Sequence, residues 1–206
     1  KKIITNENEA TETIEYLLKE SIEKRLAASD IDVGVLLSGG LDSSMIVALA
    51  KQKFPSLKTY SIGFEDDKEE KGNEFIYSDQ VVKKYKTDHK KFIIDNTLVL
   101  SKLPKAFEAM SEPMLAQDAV AFYMLSELVR KDVKVILSGQ GADEGFAGYF
   151  WYNKINLEKN NHVNFLKHYV DRSEVELNEF LNIKFSSNFT NLMVKNAFRD
   201  INAETL

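Results

Sequence analysis

The sequence predicts an α/β fold built on a doubly wound parallel sheet, and two observations predict it. Short apolar runs at 33–37, 57–64, 89–94 and 133–137 alternate with stretches of helical periodicity. That alternation implies parallel βαβ units, because parallel neighbours need a long crossover and a helix supplies it. Two of the apolar runs, 33–37 and 133–137, pass directly into Ser-Gly loops. Sheets of this kind bind ligands beyond the carboxyl ends of their strands, where strand order reverses.

Residues 11–28 read as an amphipathic helix with Ile14, Leu17, Leu18, Ile22 and Leu26 on one face. Residues 33–37 are a buried strand, and 43–53 a helix that Phe54-Pro55 stops. A second strand at 57–64 leads into a charged loop at 65–72, then a helix at 73–85 with Phe75, Val81, Val82 and Tyr85 facing the core. A third strand covers 89–94, and Pro104 kinks or breaks the helix at 97–110. An irregular link at 111–117 precedes a helix at 118–130 and the apolar strand 133–137. Beyond about Tyr152 the chain turns rich in Asn and Lys, and aromatics at helical spacing mark helices near 164–171, 173–183 and 188–199. The organisation expected is an N-terminal helix over 1–30, an α/β core over 31–152 and a helical portion over 153–206.

Composition excludes several classes. The 206 residues, 44% hydrophobic and 29% charged, suffice for one domain with a core or a domain plus part of another. A net charge of −5 gives no general attraction to nucleic acid or anionic membrane. No apolar run approaches the ~20 residues that span a bilayer, and no secretory signal pattern is visible. The absence of cysteine excludes disulfides, thiolate metal sites and a Cys nucleophile, and is compatible with a cytoplasmic location. His89, His162 and His168 are scattered without zinc spacing, and His89 reads as structural.

The chemistry concentrates in Ser38-Gly39-Gly40-Leu41-Asp42-Ser43-Ser44. A strand ends, two glycines allow close approach and unusual dihedrals, and a helix follows. Backbone N–H groups and the helix dipole then converge on one spot that suits phosphate or pyrophosphate, with Ser38, Ser43 and Ser44 as added donors. No Lys follows the glycines, so the nucleoside-triphosphate loop G-x-x-x-x-G-K-[ST] is absent. Asp42 stands inside the loop instead, and a carboxylate facing phosphate calls for a bridging cation such as Mg²⁺. The plain alternative, a strand-to-helix turn with an Asp or Ser cap, leaves this crowding of glycine and serine unexplained.

The fourth strand is followed by Ser138-Gly139-Gln140-Gly141-Ala142-Asp143-Glu144-Gly145-Phe146-Ala147-Gly148-Tyr149. Glu144 stands where a dinucleotide fingerprint needs glycine, so that match fails. Two Ser-Gly-Asp loops at adjacent strand ends would place Asp42 and Asp143 on either side of one Mg²⁺–phosphate cluster.

The first loop resembles the pyrophosphate loop, Ser-Gly-Gly-x-Asp-Ser, of the PP-loop ATP pyrophosphatases, which split ATP between the α- and β-phosphates. The two loops together resemble the synthetase domain of the glutamine-dependent asparagine synthetase family. The likeness covers about 33–152 and includes Tyr60-Ser61-Ile62-Gly63-Phe64, Asn73-Glu74 with Tyr77-Ser78, Thr87-Asp88-His89 and Glu112-Pro113. It implies an adenine-nucleotide α-hydrolase type of sheet with helical N- and C-terminal flanks. It also implies ATP and Mg²⁺ as cofactors, with Asp42 and Asp143 as metal ligands. Ser38, Gly39, Gly40, Asp42 and Ser43 would hold the pyrophosphate, and Leu36, Ile62, Ser138 and Gly139 would meet the adenosine. The implied reaction activates a substrate carboxylate, aspartate first among candidates, as an acyl-adenylate that ammonia then attacks.

Three departures from the family's pattern bear on the acceptor and the chain's extent. Asparagine-forming members commonly carry Glu where this chain has Gln140, and an amide is no general base at neutral pH. Peptide or sugar amidation, or β-lactam-type cyclisation, therefore stays open beside aspartate. A glutaminase domain opening on a nucleophilic Cys, the partner that supplies ammonia, is not in this sequence. Nor is the later Arg/Pro-containing substrate segment with its Lys. The expectation is a middle fragment of a longer enzyme, able to bind Mg-ATP but poorly active alone, with homo-oligomerisation open. A non-catalytic ATP-binding module is the reading from another class. The Asp42 and Asp143 pair argues against it.

Overall fold

The computed structural model describes residues 4–27, 32–65, 74–111, 118–154, 162–169, 173–182 and 189–200. They form two compact units, Lys1–Gln140 and Gly141–Leu206. In the first unit the order is α1 (Glu7–Ala27), β1 (Val33–Leu36), α2 (Leu41–Lys51), β2 (Lys58–Phe64), α3 (Phe75–Tyr85), β3 (Asp88–Ile94), α4 (Asn96–Ala109), α5 (Asp118–Val129) and β4 (Val135–Leu137). The four strands make one all-parallel sheet in the order β3-β2-β1-β4. The chain winds outward from β1 through β2 to β3, then returns to the other side of β1. The doubly wound parallel sheet is therefore as expected, and its switch point lies between β1 and β4.

Strand alternation sorts the core to two faces. Val33, Val35 and Leu37 pack with Ile22 and Leu26 of α1 and Val47, Leu49 and Ala50 of α2. On the opposite face Tyr60 packs with Leu125 and Val129 of α5, joined by Leu36, Ile62 and Ile136. Ile94, Ala106, Val120 and Met124 extend that layer between α4 and α5. Gly34 makes room for Tyr60: a Cβ there would come 2.6 Å from the tyrosine ring. Burial lifts the Tyr60 hydroxyl to about 12.

Several boundaries differ from the sequence reading, for local reasons. α1 starts at Glu7, four residues before the expected 11, because the Asn6 side chain accepts the Glu9 N–H at 3.1 Å and caps the helix. Of its expected core face, Ile22 and Leu26 are buried, but Ile14 and Leu17 are 38% and 52% exposed. Of the kink or break expected at Pro104, there is no break: α4 is continuous from Asn96 to Ala109, and Asp95 caps it by accepting the Thr97 N–H at 2.8 Å. The link 112–117, with Glu112-Pro113, and Asn73 lie outside the described residues.

His89 is structural in the fold, as read. Its Nδ1 lies 2.9 Å from the hydroxyl of the buried Thr59, its partner in the β2–β3 register. Burial, reinforced by Lys91, holds the imidazole below its ordinary 6.5. The unfolded chain takes up a proton at that pH while the folded one resists it, so stability falls as pH drops through 6.5. Thermal melting from about pH 7.5 to about 5.5 is expected to show this slope, and His89→Gln to flatten it.

The second unit contains α6 (Ala142–Phe146), a 3₁₀ turn at Tyr152–Lys154, α7 (His162–Tyr169), α8 (Glu174–Leu181) and α9 (Phe189–Asp200). It is helical among its described residues, as expected of 153–206. Ser173 and Glu176 close a capping box on α8. Phe165 packs against Tyr169 and Phe198 with ring centroids 4.8 and 5.5 Å apart, but Phe165 and Phe198 are only half-buried and Tyr169 and Phe180 are 54% and 77% exposed, which corrects the expectation that these aromatics form a core.

Candidate functional site

The loop at 38–44 lies at the switch-point end of β1. Leu37 N–H donates to Tyr60 O at 2.8 Å, and the Ser61 hydroxyl donates to Leu37 O. Gly40 N–H donates to Ser38 Oγ at 3.2 Å, turning the chain. Gly39 adopts φ +94°, in the left-handed region open to glycine. Gly40 is the N-cap of α2 and no side chain caps that end. The first helical bond is Ser44 N–H to Gly40 O at 3.1 Å. The N–H groups of Leu41, Asp42 and Ser43 precede it, so the helix offers them no carbonyl partner.

The hydroxyls of Ser38, Ser43 and Ser44, expected as added donors, are engaged within the turn. Ser43 Oγ donates to Gly40 O at 3.2 Å and Ser44 Oγ to the same oxygen at 2.6 Å. Ser43 is 8% exposed and its Oγ lies 3.0 Å from Ser38 Oγ. Ser43 and Ser44 therefore fasten the turn, and backbone N–H groups are what the helix start presents.

The loop after β4 repeats the same turn: Gln140 N–H donates to Ser138 Oγ at 3.2 Å. Gly139 sits against the start of α2. A Cβ there would come 3.0 Å from Ser43 N and 3.1 Å from Asp42 Cβ. The structure thus gathers Ser38, Gly39, Gly40, Asp42, Ser43 and Gly139 at one sheet edge. Leu36 and Ile62 lie on the α4–α5 face around Tyr60. An open groove of about 450 Å³ runs from Leu36 along Ile136, beneath Leu125 and Val129, with Arg130 and Lys134 at its lip.

Asp143 belongs to the second unit. Its carboxylate lies over Gly148, where a Cβ would come 2.0 Å from Oδ1. The neighbouring Glu144 accepts the Tyr149 hydroxyl at 2.6 Å. That bond holds Glu144 below the ordinary carboxylate range and raises Tyr149 to about 12. Among the described residues no group of three or more His, Cys, Asp or Glu is assembled as a metal site.

The fold and this loop define a doubly wound α/β domain with a Ser-Gly turn and an uncapped helix start at its switch point. The chain belongs to the asparagine synthase family, whose family model matches residues 13–202. It is 32% identical over 154 residues to asparagine synthetase [glutamine-hydrolyzing] 1 of Bacillus subtilis, a match covering 75% of this chain and 24% of that protein. A putative asparagine synthetase [glutamine-hydrolyzing] of Mycobacterium bovis is 33% identical over 73% of this chain and 23% of its own length. Putative asparagine synthetase [glutamine-hydrolyzing] 2 of Methanocaldococcus jannaschii is 35% identical over 72% of this chain and 28% of its own. The matched region thus spans about a quarter of these curated relatives.

Proposed function

We propose that the chain is the ATP-binding synthetase portion of a glutamine-dependent amidotransferase. The observation that carries this reading is the turn at 38–44. An uncapped helix start, a left-handed glycine and a second Ser-Gly turn meet at the switch point of a parallel sheet. Triphosphate would lie over the N–H groups of Leu41–Ser43, with adenosine toward Leu36, Ile62, Ser138 and Gly139. A substrate carboxylate oxygen bonds to the α-phosphorus as the bond to the β-phosphate breaks, releasing pyrophosphate. Ammonia then bonds to the acyl carbon and AMP leaves. The chain's part in the first step is positioning and charge stabilisation of the leaving group.

The donor set fits Mg²⁺ as a phosphate-bound ion. Asp42 is a half-buried carboxylate at the loop, and an ion that keeps several waters and takes phosphate oxygens needs no all-protein cage. Mg²⁺ there would neutralise charge on the pyrophosphate, with Asp42 and, in this proposal, Asp143 as its protein ligands. Aspartate is the first candidate substrate, in line with the names of the relatives. Gln140 in place of the family's Glu favours a second reading, the same adenylation with a peptide, sugar or cyclising acceptor. The relatives are named as glutamine-hydrolysing, and a glutaminase domain is the proposed ammonia source. No helix among the described residues is long and apolar enough to cross a membrane, and a cytoplasmic setting is proposed.

Calorimetric titration with ATP, with and without Mg²⁺, tests the reading. Mg²⁺-dependent binding is expected, and pyrophosphate release only when a carboxylic acid is present. Pyrophosphate release indifferent to carboxylic acids would sink the adenylation step.

A further inference from the structure

Most buried polar residues among the described ones lie in or beside one loop. The four are Ser43, Thr59, Ser61 and Ser78, at 8%, 0%, 4% and 0% exposure. Ser43 lies within the segment from Leu37 to Ser43, the Ser61 hydroxyl bonds Leu37 O, and the Ser78 backbone lies beside Gly39. Ser43 fastens the turn from within. Ser61 and Ser78 come from β2 and α3, elements that present no proposed ligand contact through these two side chains.

The β1–β2 ladder pairs Gly34, Val35 and Leu36 with Lys58, Thr59 and Tyr60. At Leu37 the chain leaves the sheet, and there the Ser61 hydroxyl takes the Leu37 carbonyl. Leu37 is the residue before Ser38, so its peptide sets the direction in which the loop departs. Two residues on, Gly39 rests on the first turn of α3. A Cβ at Gly39 would come 2.5 Å from Ser78 N and 2.6 Å from Tyr77 C. Ser78 itself is fully buried, and its hydroxyl returns to Phe75 O at 3.1 Å within α3. A small side chain with an internally satisfied hydroxyl allows the α3 backbone to approach Gly39 this closely.

We infer that Ser61 and Ser78 are positioning residues for the pyrophosphate loop: Ser61 anchors its entry at Leu37 and Ser78 lets α3 brace it at Gly39. Both act through the loop backbone and neither touches the ligand. The inference rests on the ATP reading for its effect on affinity, but the bracing itself is a property of the chain alone. A loop held before the ligand arrives loses less freedom on binding.

The test uses Ser61→Ala and Ser78→Leu in the 206-residue chain, with Ser61→Thr as the variant that keeps the hydroxyl. Amide hydrogen exchange in the ligand-free chain reads the bracing. Exchange over residues 38–41 is expected to quicken about tenfold in Ser61→Ala and Ser78→Leu, with β1 and β2 unchanged, and to return in Ser61→Thr. Calorimetry reads the consequence. Affinity for inorganic pyrophosphate and ATP is expected to fall about tenfold while affinity for adenosine stays within about twofold. Unchanged exchange over 38–41 overturns the inference, as does faster exchange across the whole sheet. Equal losses for pyrophosphate and adenosine do the same, since a merely structural role predicts that. If the unaltered chain binds neither ATP nor pyrophosphate, the ATP reading fails, and the exchange result still decides the bracing.

Discussion

Gly39→Ala is expected to cost the fold roughly 2–5 kcal/mol and to abolish pyrophosphate binding. Two penalties act at once. At φ +94° an L side chain is strained, at about 1–2 kcal/mol. The new Cβ also meets Ser78 N at 2.5 Å and Tyr77 C at 2.6 Å, which are backbone atoms of a helix and cannot swing aside. Overpacking of this kind costs about 1–3 kcal/mol. The loop or α3 must move, and either movement displaces the N–H groups at the start of α2. Gly40→Ala is the matching control. Gly40 has φ −66°, and its Cβ would find only Ser38 Oγ at 3.4 Å, an ordinary contact. Its expected cost is about 1 kcal/mol or less, the loss of a permissive N-cap. Urea denaturation of both variants separates them. Equal destabilisation would show that α3 does not hold Gly39 in place.

The contrast between these adjacent glycines shows where the sequence could and could not be read. That a strand, a turn and a helix meet at residues 37–43 follows from composition and periodicity. That Gly39 has a neighbouring helix backbone in the space of a Cβ does not, because α3 is brought there by the crossover from β2. The same limit applies to Ser61. A serine between Tyr60 and Ile62 reads as one more position in an alternating strand. Its partner, Leu37 O, is fixed by the β1–β2 register. Helix starts differ from the sequence expectation where the cap is unusual. The sequence reading put the second helix at 43, on its serines, whereas Gly40 is the N-cap and Leu41 the first residue. α6 carries no helical signal in the sequence because its five residues, Ala142–Phe146, include a glycine and follow two others. The exposure of Ile14 and Leu17 shows that periodicity reports an apolar face without reporting what covers it.

Asp42→Asn is expected to weaken ATP binding with Mg²⁺ present but not without it, while leaving the fold nearly intact. The carboxylate stands in the first turn of α2, where the helix dipole favours negative charge. Its loss there costs about 0.3–1 kcal/mol of stability. Asparagine keeps the shape of the side chain, including the Cβ that faces Gly139. The electrostatics change more. Without a cation, Asp42 repels a triphosphate held at the same helix start, so removing its charge should leave ATP affinity unchanged or higher. With Mg²⁺ present, the unaltered chain gains a ligand that bridges ion and phosphate, and the variant lacks it. The Mg²⁺-dependent gain in affinity is expected to shrink on the order of tenfold or more in the variant. Paired titrations with and without Mg²⁺ read both signs in one experiment. Equal Mg²⁺ dependence in the two proteins would remove Asp42 from the metal and return it to the plainer role of a first-turn carboxylate. A loss of ATP affinity in both conditions would instead place the side chain in direct support of the turn, beside Gly139. This dependence on the ion thus distinguishes a metal ligand from a structural acid, because only a carboxylate that faces phosphate is harmful without the ion and helpful with it.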